Sequence, residues 1–357
     1  MATASSLQVK NAVLGLVRLG LALPAFFRRR VTIEDAVEEV RAGVDRRAET
    51  FLDIARTEIY TDADHPYLRL LKIAGCEYGD LDAHVRRDGL VATLERLAHS
   101  GVYLTADEFK GKKDVIRGAA AFRVAPERLE RGRRPGLTVQ TSGSSDQPVT
   151  TTASLGRLEF HTPAMAVFFA AHNFFSARHA FYDAVLPASG AIGNVLIYAQ
   201  LGIAADRWFA RAIPVKSRLG KRYHALTMRM IAFMARRYGA GFASPEFTEL
   251  DTIVRWAAAQ REAGRTSCVT TAASNAVRVA RLAAEQGLSL QGTKFLASGE
   301  PLTAAKRDII ERAGAGVTCR YAFTELGIAG FGCGSPASPD EVHVHENVLA
   351  LVAHPEA

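Results

Sequence analysis

Three short runs of this chain put hydroxyls, glycine and charge at spacings that could do chemistry. Residues 141–148 read Thr-Ser-Gly-Ser-Ser-Asp-Gln-Pro behind the β-branched run LTVQ. Backbone N–H groups around Gly143 can form an anion-binding concavity, with the hydroxyls of Thr141, Ser142, Ser144 and Ser145 as further donors. Gly143 lets the backbone approach a phosphate closely, but no Gly-Lys pair follows, so this is not a Walker-type loop. The second run, Ser298-Gly299-Glu300-Pro301, stands between the apolar KFLA and TAAKRDII, for which Thr303 is a natural N-cap. Its glycine and proline make a flat wall against which a planar ring could lie. In the third run, Thr324-Glu325 follows CRYAF, and a carboxylate beside a hydroxyl past a strand end can hold Mg²⁺ against a phosphate oxygen. Each run alone has a plainer reading: a polar turn, an ordinary strand-to-helix turn, and a Thr N-cap with Glu in the first helical turn.

The elements around these runs give them a common setting. From about residue 135, the strand-like runs LTVQTS, AFYDAV, RWFARAIPV, TSCVTTA, KFLASG and VTCRYAF alternate with helical ones such as HALTMRMIAFMARRYG, NAVRVARLAAEQG and TAAKRDIIERAG. This alternation predicts an α/β fold of mostly parallel sheets flanked by helices, with ligands beyond the carboxyl ends of the strands. The first hundred residues are helical in pattern. AVEEVRAGVDRRAETFLDIA sets Val37, Val40, Val44, Phe51 and Ile54 at helical spacing, and DLDAHVRRDGLVATLERLAHSG reads as a second helix ending near Gly101. The expected organisation is a helical N-terminal cap over residues 1–134 and an α/β core over 135–357.

Composition narrows the partners. The 357 residues carry 44 Lys and Arg against 37 Asp and Glu, a net charge of +7 that suits anionic partners. The basic residues are scattered and match no nucleic-acid module, so nucleic acid is not expected. Cys76, Cys268, Cys319 and Cys333 stand far apart behind no secretory signal, which reads as reduced thiols in a cytoplasm. No uncharged apolar run reaches the roughly 18 residues of a membrane span. The nearest candidate, residues 7–30, is interrupted by Lys10 and Arg18 and ended by Pro24. It reads as a helix packed on the body or on a partner, with contact to a membrane surface as the lesser alternative. Cys333, His343 and His345 raise zinc, but no second thiolate stands at ligand spacing. His161 and His172 read as packing or surface residues of an apolar helix.

SGSS, SGEP and YAFTE occur in this order, each behind a strand-like run. In this combination the chain resembles the adenylate-forming superfamily of acyl-CoA synthetases and adenylation domains. It looks in particular like the phenylacetate–coenzyme A ligase branch and its acyl-protein synthetase relatives, over about residues 137–352. The resemblance implies the large N-terminal domain of an adenylate-forming enzyme, which joins a carboxylic acid to the α-phosphate of ATP, releases pyrophosphate, and can pass the acyl group to coenzyme A, a carrier protein or an amine. Carried over, Thr141, Ser142, Gly143, Ser144 and Ser145 would hold the β- and γ-phosphates. Ser298, Gly299, Glu300 and Pro301 would flank the adenine, with Tyr321 on its other side. Thr324 would touch the α-phosphate and Glu325 would bind Mg²⁺, the two forming the catalytic pair. Segments that border the acyl pocket in the family align loosely with residues 187–194, Tyr198 and 271–274. Small residues there leave room for a bulky or long acyl group, or serve only to pack helix on sheet.

The departures from the pattern carry expectations of their own. Asp146 stands where the family has Gly, and the cation often found at Gln147 or Val149 is missing. A carboxylate about 4 Å from a phosphate costs about 4 kcal/mol at an effective dielectric of 20. Asp146 is therefore expected to point away, to bind through Mg²⁺, or to mark a weakened site. Ala322 replaces a Gly of the usual motif, a mild change. The family's ribose-binding Asp and catalytic Lys lie beyond the point reached by HENVLALVAHPEA, so the chain reads as truncated before the usual C-terminal lid domain, or as a form without it. Nucleotide or acyl-adenylate binding with low adenylation activity is the expectation. The alternative is a noncatalytic nucleotide- or acyl-binding homologue that acts through partners.

Overall fold

A computed structural model describes residues 2–126, 129, 135–140, 150–188, 190–211 and 218–352. The helices are α1 (Ala2–Arg28), α2 (Ile33–Asp45), α3 (Arg47–Ile54), α4 (Pro66–Ile73), α5 (Tyr78–Asp88), α6 (Leu90–His99), α7 (Ala106–Phe109), α8 (Leu155–Ala171), α9 (Gly190–Gln200), α10 (Arg218–Arg237), α11 (Leu250–Glu262), α12 (Ala273–Glu285) and α13 (Ala304–Arg312). The strands are β1 (Val115–Arg117), β2 (Ala120–Phe122), β3 (Gly136–Gln140), β4 (Thr150–Ser154), β5 (Arg178–Ala184), β6 (Ala205–Arg211), β7 (Pro245–Phe247), β8 (Ser267–Ala272), β9 (Thr293–Ser298), β10 (Gly316–Phe323), β11 (Gly327–Gly332) and β12 (Val342–Val344). The chain divides into two compact units, Met1–Val40 with Arg134–His345, and Arg41–Arg133 with Glu346–Ala357.

The larger unit is a mixed α/β structure around an eight-stranded sheet of order β12-β11-β10-β9-β8-β5-β6-β7. The six strands from β5 to β10 run parallel, and β11 and β12 add antiparallel at one edge. Parallel strands covered on both faces are buried along most of their length, as β8 (SCVTTA) and β5 (RHAFYDA) are, with polar side chains such as Thr270, Thr271 and His179 buried among the apolar ones. One face packs a core that includes Leu196, Trp208, Phe181 and Leu296. The other packs Ile253, Val279, Phe295 and Ile310 from α11, α12, β9 and α13. The alternation expected from about residue 135 is thus realised as a mostly parallel sheet between helices.

Strand order determines where a ligand can enter. The chain lays β5, β6 and β7 outward in one direction, returns to set β8 against β5, and then lays β9 and β10 in the other direction. The connections after β5 and β8 therefore diverge, and a crevice opens at the carboxyl ends of these two strands.

Three sequence expectations change in this unit. Helix α1 does not stop at Pro24 but continues to Arg28. Leu19, Leu23, Phe26 and Phe27 are buried in the core of the larger unit, so side-chain burial outweighs the hydrogen bond that an internal proline removes. Second, LTVQ does not enter the parallel sheet. As β3 it pairs antiparallel with β4, Gly136 opposite Ser154 and Gln140 opposite Thr150, so the first motif joins two strands of a hairpin. The β-branched Thr150–Ser154 run lets the chain resume as a strand there instead of entering a helix at once. Third, residues 324–326 form a turn between β10 and the antiparallel β11, and no helix begins at Thr324.

The smaller unit is mainly helical, with a β1–β2 hairpin. The first long periodic run is broken at Arg46 into α2 and α3, and of its residues in this unit only Leu52 and Ala55 are buried, while Ile54 is exposed. The second run is likewise two helices, broken at Gly89 with φ +84°. Arg117 pairs with Glu108 at 3.0 Å, and Glu108 also closes a capping box with Thr105 at the start of α7. No helix among the described residues is long and apolar enough to cross a membrane.

Candidate functional site at the strand ends

The crevice predicted by strand order is occupied by a cavity of about 460 Å³. Asp183 and Ala184 reach it from the end of β5, Ala272 from the end of β8, and Ser298 and Gly299 from the end of β9. Thr324 and Gly327 reach it from the turn after β10. Gln140, the last residue of β3, also lines it and is tied there by its N–H to the Pro187 carbonyl at 2.7 Å. Thr141, Ser142, Gly143, Ser144 and Ser145, together with Asp146 and Gln147, lie outside the described residues.

The loop after β9 is held by its own glutamate. Glu300 accepts hydrogen bonds from the Ser274 N–H at 2.9 Å and the Ser274 hydroxyl at 2.5 Å, and pairs with Lys306 at 2.8 Å. Lys306 Nζ also donates to the Pro301 carbonyl at 2.9 Å, and Thr303 caps α13 as its sequence position implied. Burial alone would raise the Glu300 pKa, but the bonds from Lys306 and Ser274 outweigh it and lower it. Glu300 is thus a strut between the ends of β8 and β9, and its carboxylate is fully engaged. Ser298 and Gly299 are left to face the cavity.

The turn after β10 is braced from α8. Arg157 Nη1 donates to the Glu325 carbonyl at 2.7 Å, and His161 Nε2 lies 3.0 Å from the Leu326 carbonyl. Burial lowers the His161 pKa to about 4, so the ring is neutral and Nε2–H is the donor. Gly327 has φ +94°, and a Cβ there would come within 2.5 Å of His161 Nε2. A side chain at 327 would therefore strain the backbone and push the histidine off its carbonyl. Among the described residues Glu325 is bonded through its backbone carbonyl, and its side chain, half-buried beside Thr324, has no ion pair. One free carboxylate next to a hydroxyl fits a Mg²⁺ that keeps most of its ligands from water and phosphate, whereas a protein cage needs several carboxylates. Among the described residues no three His, Cys, Asp or Glu side chains gather as a metal site. Cys333 lines a separate cavity of about 210 Å³ at the opposite strand ends, His343 is exposed, and His345 is buried against His161.

Tyr321 is 61% exposed, stands outside the cavity lining and has its ring 5.8 Å from that of Phe323. Of the residues singled out from sequence, Ser298, Gly299 and Thr324 are therefore brought to one cavity. Glu300, Pro301 and Glu325 stand on its flanking loops, and Tyr321 lies near the end of β10.

Four charged lining residues were not legible as site residues: Arg157, Asp183, Arg211 and Arg320. Two of them had a signal in the sequence, namely charge inside an apolar strand, as in AFYDAV and VTCRYAF. Arg320 is 6% exposed and donates from Nη1 to Asn194 Oδ1 at 2.9 Å. Asp183 accepts from the Ala184 N–H at 2.7 Å and lies so close to Gly190 that a Cβ there would overlap its Oδ2. Burial raises the Asp183 carboxyl toward its neutral form, against the pull of Arg211 and Arg320. The aligned segments 187–194 and 271–274 supply Ala188, Gly190, Gly193, Asn194 and Ala272 to the lining. Tyr198 is instead buried, with its hydroxyl 3.0 Å from that of Thr270.

No protein-family model matches the chain, and no curated protein matches its sequence. Several solved structures are similar to it. A 2-hydroxyisobutyryl-CoA ligase in complex with 2-HIB-AMP and CoA, in an open conformation, is 16% identical, with 85% of this chain and 61% of that chain covered and a TM-score of 0.45. The same ligase in its postadenylation state with 2-HIB-AMP gives 16% identity, coverage of 87% and 54%, and a TM-score of 0.47. The N-terminal subdomain of Klebsiella oxytoca NpsA with 3-hydroxyanthranilyl-AMSN gives 14%, 63% and 46%, and 0.32. The chain spans 50–61% of the length of the ligase chains it matches. These neighbours are of the adenylate-forming kind that the motifs resemble. At such identities and scores the likeness carries no argument of its own about activity.

Proposed function

We propose that this chain is the nucleotide- and acyl-binding core of an acyl-adenylate-forming ligase, using ATP to activate a carboxylic acid. The observation that carries this reading is the convergence of Ser298, Gly299 and Thr324, from two separate motifs, on one cavity at the point where the strand order reverses. A carboxylate oxygen would attack the α-phosphorus as the α–β phosphoanhydride bond breaks, and pyrophosphate would leave with that bonding pair. The nucleophile is already ionised near neutral pH, so no general base is required. The task of the site is to align two anions and offset their repulsion.

In this reading the chain's own residues divide the work. Residues 141–145 grip the β- and γ-phosphates, the loop after Ser298 and the exposed Tyr321 ring bracket the adenine, and Thr324 binds the α-phosphate. Glu325, whose carboxylate has no ion pair among the described residues, would hold Mg²⁺, which neutralises phosphate charge when bound. Arg157 and His161 keep the turn in position through two backbone carbonyls. Coenzyme A, a carrier-protein thiol or an amine would then accept the acyl group, in a cytoplasmic setting.

The deciding experiment is ATP–pyrophosphate exchange across a panel of carboxylic acids, run beside calorimetric titration with ATP and Mg²⁺. Acid-dependent exchange is the expected result. Nucleotide binding without exchange would support the noncatalytic homologue instead, and the absence of both would defeat the reading.

A further inference from the structure

The cavity has a charged floor that nucleotide binding does not explain. Arg320 lies in β10, opposite Ser298 of β9 on one side and Phe331 of β11 on the other. It enters a face otherwise built from side chains such as Phe181, Leu296 and Phe331. Its guanidinium is buried, yet among the described residues it makes one hydrogen bond, to the neutral amide of Asn194. Its Nε has no partner, and among the described residues no carboxylate lies within ion-pairing distance. Buried charges are ordinarily paired, because the loss of water is otherwise uncompensated. Asp183 lines the same cavity and attracts Arg320 through space, but it forms no ion pair with it: its carboxyl is turned to the Ala184 N–H and packed against Gly190, and burial favours its neutral form.

Position decides what the missing partner can be. Arg320 is four residues upstream of Thr324, which places it roughly 10–13 Å from the turn at a strand rise of about 3.3 Å per residue. With the α-phosphate assigned to Thr324, the group best placed to meet Arg320 on the floor of the same cavity is the far end of an acid whose first carboxylate lies at the turn. A chain of medium length, as in adipate or pimelate, suits a terminus set back from the turn along the strand by that order of distance. We propose that the acid taken by this cavity is a dicarboxylic acid, whose second carboxylate is bound by Arg320 and positioned beside Asn194. This rests on the acid-activating reading above and names its substrate class. Small residues at Gly190, Gly193 and Ala272 give the connecting chain room, while the arginine sets its terminus. Guanidinium and carboxylate match in shape as well as charge, since two parallel N–H groups can meet two oxygens.

The test is calorimetric binding of adipate and pimelate against hexanoate and heptanoate, on the full chain with ATP present and absent. Each diacid is expected to bind at least 10-fold more tightly than the monoacid of equal length. Arg320→Met should abolish that preference and favour the monoacid, whereas Arg320→Lys should keep part of it. Asn194→Ala, which retains the guanidinium, should weaken the diacids several-fold and serves if Arg320→Met does not fold. Equal affinity for pimelate and heptanoate in the parent chain would overturn the proposal, as would a diacid preference that survives Arg320→Met or no binding of either diacid. Exchange that runs as well on heptanoate as on pimelate would sink this inference and leave adenylation standing. Diacid binding with no ATP binding would do the reverse.

Discussion

Arg157 and Glu325 meet across 168 residues of sequence, the guanidinium Nη1 of one donating to the backbone carbonyl of the other at 2.7 Å. The bond ties helix α8 to the turn that presents Thr324 and Glu325, and it acts on the backbone, so the glutamate side chain stays free. A hydrogen bond from a charged donor is worth about 1.5–3 kcal/mol. Arg157→Ala should therefore raise amide hydrogen-exchange rates around residues 324–327 about 10-fold or more while leaving α11–α13 unchanged. Unaltered exchange in the turn would show that the bond does not hold it.

Glu325→Gln keeps the shape of the side chain and removes its charge. It should cut the Mg²⁺-dependent part of ATP affinity about 10-fold or more while the fold, read by circular dichroism, stays the same. Full Mg²⁺-dependent binding in this variant would remove Glu325 from the metal's ligands.

Gly327 is the one position in the turn where a methyl group meets two obstacles at once, a φ of +94° and His161 Nε2 at 2.5 Å. Left-handed backbone costs a non-glycine residue about 1–2 kcal/mol, and overpacking adds about 1–3. Gly327→Ala should lower the urea-unfolding free energy by about 2–4 kcal/mol. The pairing of Gly327→Ala with His161→Ala should recover part of that loss, and strictly additive effects would contradict the proposed clash.

The neutral His161 makes stability depend on acid. Its folded pKa is lowered to about 4, mainly by burial, against an ordinary value of 6.5. At neutral pH neither state carries the proton. As pH falls through 6.5 the unfolded chain binds it and the folded chain does not, so stability is lost progressively down to about pH 4. The shift corresponds to about 3 kcal/mol at most for this group. Burial also lowers His172, His179 and His345, so they tilt the profile in the same direction. His161→Gln should flatten the stability profile between pH 7 and pH 4.5 by up to that amount, measured as urea midpoints. An unchanged slope would show that the ring is not held neutral.

Helix α1 supplies a contrast within one element. Phe27 is fully buried and Leu21 is 77% exposed, six residues apart. Phe27→Ala should cost about 3–5 kcal/mol, whereas Leu21→Ala should stay within about 0.5 kcal/mol. Equal small effects would mean that α1 is not part of the core.

The sequence by itself determined those features that depend on local pattern. Alternating apolar strands and amphipathic helices after residue 135 specify a layered α/β unit, because period-2 and period-3.6 patterns each bury one kind of element. Thr303 could be read as a cap, and SGEP and YAFTE as strand-end loops, from residues no more than a few positions apart. The breaks at Arg46 and Gly89 do not show in the pattern, because helical spacing continues across them and only backbone geometry tells whether the helix does.

Tertiary structure alone decided whatever rests on contacts distant in sequence. That LTVQ pairs with TTTAS instead of joining the large sheet depends on hydrogen bonding between strands, which alternation does not specify. Likewise, Pro24 does not end α1, because the burial of Phe26 and Phe27 in the sheet's core compensates for the lost backbone bond. The cavity exists because β8 returns to lie beside β5, a choice of strand order invisible in any one segment. Arg320 acquires its meaning in the same way. In sequence it is one cation among 44, and only the packing of α9 against the sheet removes its water and leaves it facing the cavity with a neutral amide, and no carboxylate, as its direct partner.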